Sequence, residues 1–283
     1  MVNSTFDPNT NISLCKYRSL PVFLKDNPYI VNGYRPILSV PLCVKSIFIW
    51  SNEFINIWSH LLGFLIFFLL TLHHVLFVPS SIVKFQDRFV IICGMLCYQA
   101  SVCLICSASF HIFKCHSPEM YRKFLNIDLF GISLGLVGCY FPGLYLGFLC
   151  FQSWQNLYMF LLVLILMALF YWHWNLGALD SQKFDFVNNN SFVVPSIHWV
   201  YLNGGLGSAF VQEFGLKIMI LYILLALAFS FYISKFPERF FPGRFDYVGS
   251  SHQLWHIFIF LSFLWWYDCG VKLSMQLSTN ENC

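Results

Sequence analysis

The stretch SSHQLWH, Ser250 to His256, places two histidines four residues apart at the head of an apolar run. Residues four apart share a helix face, so His252 and His256 can aim at one point. Ser107 and His111, in SASFHIF, have the same spacing at the tail of another apolar run, and Asp128, in LNIDLFG, opens a third. Three imidazoles and a water make a catalytic zinc shell, with Zn–N bonds of about 2.0–2.1 Å and an open fourth position. Oxygen-preferring Mg2+ or Ca2+ fits three imidazoles poorly. The expected metal ligands are therefore His111, His252 and His256. Asp128 is expected in the ligand shell or just outside it, holding the water and helping to accept its proton.

The elements that must position these groups are membrane helices. The 283 residues are 58% hydrophobic, 20% aromatic and only 10% charged, against about 25% charged in a soluble domain. That is too little polar surface to cover a soluble globule of this size. Residues 1–56 are mixed in character, with five prolines, and are expected as an ordered non-spanning segment. Within it CVKSIFIWSNEFINIW, Cys43 to Trp58, has roughly helical apolar spacing and could lie along the membrane surface. Apolar runs near 57–78, 89–113, 125–147, 155–174, 191–211, 216–234 and 251–270 then predict seven spanning helices. The fold class is an all-α membrane protein with a spanning domain over 57–270 and a short luminal tail over 271–283. Pro142 and Pro195, with Asn203, Gly204 and Gly205, interrupt the third and fifth runs, which membrane helices tolerate where neighbours satisfy the backbone. The first residues, MVNSTFDPNTN, are polar, so no cleavable leader is expected.

Lys and Arg set the orientation. With the N-terminus in the cytosol, twelve fall on the cytosolic side: Lys16, Arg18, Lys25, Arg35, Lys45, Lys114, Arg122, Lys123, Lys183, Lys235, Arg239 and Arg244. Lys84, Arg88, Lys217 and Lys272 fall opposite. The N-terminus is thus expected in the cytosol and the C-terminus in the lumen or outside. The three histidines and Asp128, which the charge count did not use, then converge near the cytosolic end. Ionisable groups at that depth are functional candidates by default.

The other candidates are expected to be structural. His173 and His198 read as satisfied interfacial or core residues, and His73 and His74 lie at the wrong end of the first helix. His60 and Glu53 lie at the correct end, but packing and pairing near the start of that helix account for them. Trp265 and Trp266 read as an interfacial aromatic belt. Of the eleven cysteines, Cys93, Cys97, Cys103, Cys106 and Cys139 fall inside apolar runs, where cysteine behaves as a small hydrophobe. The net charge of +3 and the lack of a basic run exclude nucleic acid as a partner.

SNEFINIWSHLLG, SASFHIFKCHS, the Asp128 of LNIDLFGIS and PERFFPGRFDYVGSSHQLWH resemble, in order and spacing, the progestin and adipoQ receptor family. The resemblance runs from about Lys25 to Trp266. It implies seven helices, a cytosolic N-terminus and zinc held by histidines matching His111, His252 and His256. It further implies an aspartate matching Asp128 against the zinc-bound water, and a serine matching Ser107 nearby. The family's adiponectin receptors are reported to hydrolyse ceramide. DNPYIVNGYRP, IHWVYLNGGLG and YISKFPERFFPG look most like its Golgi branch, described as tethering Raf kinase through the cytosolic N-terminal segment and damping the MAP kinase cascade.

Two readings stay open. In one, zinc cross-links the second, third and seventh helices, and residues 1–56 recruit a soluble partner while their basic residues touch anionic lipid. In the other, zinc activates water, Asp128 handles the proton and Ser107 helps stabilise the oxyanion of a lipid amide that enters between helices. The far-side segments are short, so a lipid-like ligand in the bundle is favoured over a large folded one. Asn3, Asn11 and Asn189 open N-x-Ser/Thr sequons that the orientation places in the cytosol. N-glycosidase digestion is expected to leave the mobility of the expressed chain unchanged; a glycan on Asn3 or Asn11 would reverse the orientation.

Overall fold

A computed structural model describes residues 6–7, 12–77, 85–95, 103–175 and 193–279. The described chain is dominated by helices: α1 (Val40–Lys45), α2 (Phe54–Phe77), α3 (Phe85–Met95), α4 (Cys103–Phe113), α5 (Pro118–Gly147), α6 (Gln152–Asn175), α7 (Val193–Leu202), α8 (Ala209–Ser234) and α9 (Ser251–Thr279). Five of these, α2, α5, α6, α8 and α9, are long and apolar enough to cross a membrane, and α4 and α7 are shorter apolar helices. Helices are the form such runs must take, because lipid offers the backbone no hydrogen-bond partners.

Several boundaries differ from the expected ones, for local reasons. The expected helix over Cys43–Trp58 is not continuous: α1 ends at Lys45, a single 3-10 turn covers Ser46–Phe48, and α2 starts afresh at Phe54. The third helix starts earlier than 125, at Pro118, where Ser117 caps it by accepting a bond from Met120 N at 3.2 Å. Pro142 sits inside α5 without ending it. The fifth run stops at Leu202 instead of 211. Gly204 and Gly205 have φ of 89° and 74°, values that a right-handed helix cannot contain, and α8 begins just beyond them. α9 runs on to Thr279, through most of the expected tail. The residue ranges holding Asn3, Asn11, Lys84, Cys97, Lys183 and Asn189 lie outside the described residues, as do the side chains of Arg88 and His173.

Helices approach closely where glycine faces bulk. A Cβ on Gly63 would meet Phe260 and Leu104, one on Gly135 would meet Cys103, and one on Gly143 would lie 2.7 Å from Trp266. Small residues let membrane helices pack by van der Waals contact, since lipid supplies no hydrophobic drive between them. Phe67, Ile91, Leu104, Leu146 and Phe263 form the centre of the bundle, while Leu62, Leu65, Ile66 and Leu69 of α2 face outward.

Residues 12–53 form a folded cap over one end of the bundle, here the near end. A two-residue hairpin (β1 Phe6–Asp7, β2 Ile12–Ser13) leads into it, and Cys15 pairs with Tyr34. Ile12, Leu24, Ile30, Leu38 and Ile49 pack with Ile57 of α2 and Ile112 of α4. The loop before α9 grips this cap. Asp246 accepts from Val31 N at 2.7 Å, Asn32 N at 3.0 Å and Asn32 Nδ2 at 2.8 Å. Glu238 accepts from Asn27 Nδ2 at 3.0 Å.

The tightest of these glycine contacts tests this packing. A Cβ on Gly94 of α3 would lie 2.5 Å from Pro142 Cγ and 2.9 Å from the Gly138 carbonyl of α5. Gly94→Val is expected to destabilise the bundle by about 1–3 kcal/mol through overpacking, read as a lower Tm in detergent. Pro142→Ala should recover part of the loss by vacating the space.

Candidate metal centre

The cap and four helices converge on three imidazoles. α9 begins with SSHQ, a capping box in which Gln253 reaches back. Its Oε1 accepts from Gly249 N at 2.7 Å and Ser250 N at 3.3 Å. Glu238 accepts from Ser251 N at 2.7 Å and from the Ser251 hydroxyl. The start of α9 is thus held, and His252 and His256 project from one face of its first turns. From α4, His111 meets them.

The nitrogens that meet are all Nε2. His252 Nε2 lies 3.3 Å from His111 Nε2 and 3.1 Å from His256 Nε2. One ligand atom from each of the three histidines falls within 4.8 Å of the others, the group among the described residues that could hold a metal ion. A tetrahedral ion with metal–nitrogen bonds of about 2.0–2.1 Å needs its ligand nitrogens about 3.3 Å apart. The two closest separations match that edge. Lone pairs this close repel unless a cation or proton lies between them, and His111 and His256 are each only 1% exposed. The residues present fit a metal.

The opposite sides of the His111 and His256 rings are held. His111 Nδ1 lies 2.7 Å from Glu53 Oε2, so a proton on Nδ1 leaves Nε2 free to bind. Asn56 Nδ2 donates to the same Glu53 oxygen at 2.8 Å, and Lys114 Nζ reaches Glu53 Oε1 at 2.9 Å. Burial opposes charge on Glu53, but Lys114 first, then His111 and Arg35, hold its carboxyl well below the usual carboxylate range. His256 bonds the Asn56 backbone, and its Nδ1 lies 3.4 Å from Ser59 Oγ. His60 stacks on His256, with ring centroids 3.8 Å apart and planes 19° from parallel.

Asp128 and Ser107 stand beside the triad. Asp128 is 8% exposed, Ser107 hydrogen-bonds its carboxyl, and its Oδ1 has no hydrogen-bond partner among the described residues. Asp128 is not among the three residues whose ligand atoms group together. An unpartnered carboxylate oxygen at this depth is costly unless water or a ligand group reaches it.

The other assignments sort cleanly. His198 Nδ1 pairs with Tyr158 OH at 2.8 Å, and His74 is buried at the far end of α2. The Trp265 and Trp266 indoles donate to the Lys217 and Cys139 carbonyls at 2.9 and 2.7 Å, bolting helices together. Cys93, Cys103, Cys106 and Cys139 form no disulfide. Glu53 and His60 do pack and pair near the start of α2 as expected, but against His111 and His256 of the triad. A signal for this was available: Glu53, Asn56 and His60 are spaced i, i+3, i+7, one helix face.

The family model described as haemolysin-III related matches residues 48–267, a span that includes Glu53, Ser107, His111, Asp128, His252 and His256. The chain is 41% identical to "Progestin and adipoQ receptor family member 3" of Mus musculus and of Homo sapiens, over 96% of this chain and 89% of each relative. It is 36% identical to "Adiponectin receptor protein" of Drosophila melanogaster, over 87% of this chain and 56% of that one. It is 32% identical to "Heptahelical transmembrane protein 1" of Arabidopsis thaliana, over 89% and 78%.

Glu53→Gln keeps the side chain's size and removes its charge. It is expected to weaken metal binding by about 10- to 100-fold, as loss of an outer partner of a metal-ligating histidine does. A chelator-competition titration measures it, and an unchanged affinity would show that Glu53 does not orient His111.

Proposed function

The chain belongs to the haemolysin-III-related progestin and adipoQ receptor family, and on that premise we propose that it is a multi-pass membrane signalling regulator with an intramembrane zinc site. The observation that carries this is the meeting of His111, His252 and His256 Nε2 atoms at 3.1 and 3.3 Å. Three imidazoles favour zinc among the common biological ions, and hard oxygen-seeking cations least. Zinc here would tie α4 to α9 and hold the near end of the bundle together.

The resemblance to the Golgi branch supports a Golgi membrane location, with the N-terminus cytosolic. Residues 12–53 would then present a folded surface to a cytosolic kinase of the Raf type, retaining it at the membrane and damping MAP kinase signalling. Exposed Val40, Val44, Phe48 and Trp50 fit contact with the membrane surface. Cys150 is disulfide-bonded, which supports an oxidising lumen at the far end.

A second reading, a hydrolase of ceramide-like lipid amides, has its own observation in the unpartnered Asp128 Oδ1. Zinc in such a shell supplies a Lewis acid that brings the pKa of water to about 7. Asp128, held by Ser107 through one oxygen, has the other free to take a proton. A cavity of about 100 Å³, lined by Tyr140, Ser196, Phe214, Leu221, Phe263 and Trp266, lies deeper in the bundle. It would take part of an apolar chain in either reading.

Zinc content and ceramide hydrolysis, measured on the same purified samples, test both readings. The expected result is about one zinc per wild-type chain, lost in His252→Ala, with co-precipitation of a Raf-type kinase by the full chain. Turnover that disappears with the histidine would make the protein an enzyme; zinc without turnover would favour the regulator. Metal-free wild type would end both readings.

A further inference from the structure

The folded cap touches the metal centre twice. Arg35 donates to the backbone carbonyls of His111 and Ile112, the latter at 3.2 Å, and to Ser46 Oγ at 2.8 Å. It thereby fixes the last turn of α4, whose final carbonyls have no partner within the helix. The second contact is a relay of charge. His111 Nδ1 meets Glu53 at 2.7 Å, Glu53 meets Lys114 at 2.9 Å, and Lys114 meets Asp26 at 3.1 Å. Tyr121 OH closes the chain on the other Asp26 oxygen at 2.8 Å.

We propose that Asp26 and Lys114 are positioning residues of the metal centre, and that metal binding is thermodynamically coupled to the conformation of the N-terminal cap. This rests on the reading of His111, His252 and His256 as metal ligands. Lys114 bridges two carboxylates. With Asp26 in place, the ammonium is held between them and Glu53 keeps one oxygen on Lys114 and the other on His111. Without Asp26, Lys114 is anchored on one side only, and the Glu53 carboxylate that orients the ring can follow it. The converse follows by reciprocity: an ion that fixes His111 favours the arrangement in which Asp26 is docked.

Asp26 lies immediately before Asn27–Asn32, which Glu238 and Asp246 clamp to the loop that leads into His252 and His256. A protein that binds the cap and displaces Asp26 would therefore weaken metal binding, and metal would oppose that displacement. The Asp26 side chain is 42% exposed and that of Lys114 11%. The outer link is thus open to salt and to a partner, while the inner links are sheltered.

Purified full-length wild type, Asp26→Asn and Asp26→Glu are titrated with Zn2+ against a chelator. Asp26→Asn is expected to bind about 3- to 10-fold more weakly, less than loss of a direct outer partner costs, and Asp26→Glu to recover most of the affinity. The visible spectrum of bound Co2+ should shift in Asp26→Asn but not in Gly94→Val, which disturbs packing without touching the relay. Hydrogen exchange on the wild type needs no variant: Zn2+ should slow exchange across residues 26–35. Unchanged affinity in Asp26→Asn, or an exchange pattern there indifferent to Zn2+, overturns the coupling and leaves the metal reading standing. A wild type that binds no Zn2+ overturns both.

Discussion

Glu53 is a carboxylate buried to 6% exposure at the rim of an apolar bundle, and the near end of the molecule is organised around keeping it compensated. A buried charge left alone costs several kcal/mol or more, and it persists only when paired and hydrogen-bonded. Here Lys114 and His111, both at the end of α4, and Asn56, one turn along from Glu53, supply those partners. The consequence is geometric. Compensating Glu53 brings the end of α4 against the start of α2 and points the His111 ring toward α9. The meeting of the three histidines and the electrostatic neutrality of this end are therefore one problem with one solution.

The cap exists on the same terms. Its own apolar core, with Ile12, Leu24, Ile30 and Tyr34, is small, and small cores are marginal by themselves. It gains by packing on Ile57 and Ile112 and by giving Asp246 and Glu238 backbone and amide donors to hold. Polar anchoring dominates at this end, where water is near. Deeper in, contact passes to glycine-to-aromatic packing, because polar groups become expensive and close van der Waals approach is what remains. The bundle thus grades from a charged, cross-linked rim to an apolar interior with a cavity.

Much of this was legible in the residues. The histidine pair at i, i+4, the Ser107–His111 pair and Asp128 each stood out because ionisable groups are rare in apolar runs, and the structure sets all five in one place. Helix ends were less legible. The end of α7 depended on Gly204 and Gly205 adopting positive φ, and the break between α1 and α2 came within a stretch whose apolar spacing alone reads as helix. Periodicity reports which face is buried, not where the backbone turns. Glu53 and His60 carried a shared helix face, yet nothing local says what that face meets.

The sequence by itself determined the class of the protein and the chemistry it can hold. Composition forces the chain into lipid, lipid forces it into helices, and imidazoles in that setting call for a cation. Only the tertiary structure decided which groups support the three histidines. Glu53 and His111 are far apart in the chain, as are Asp26 and Lys114, and their pairing follows from how helices pack around a buried charge. Short-range spacing cannot encode that, because the partners that neutralise a charge are selected in space by distance and shelter from water, not by position along the chain.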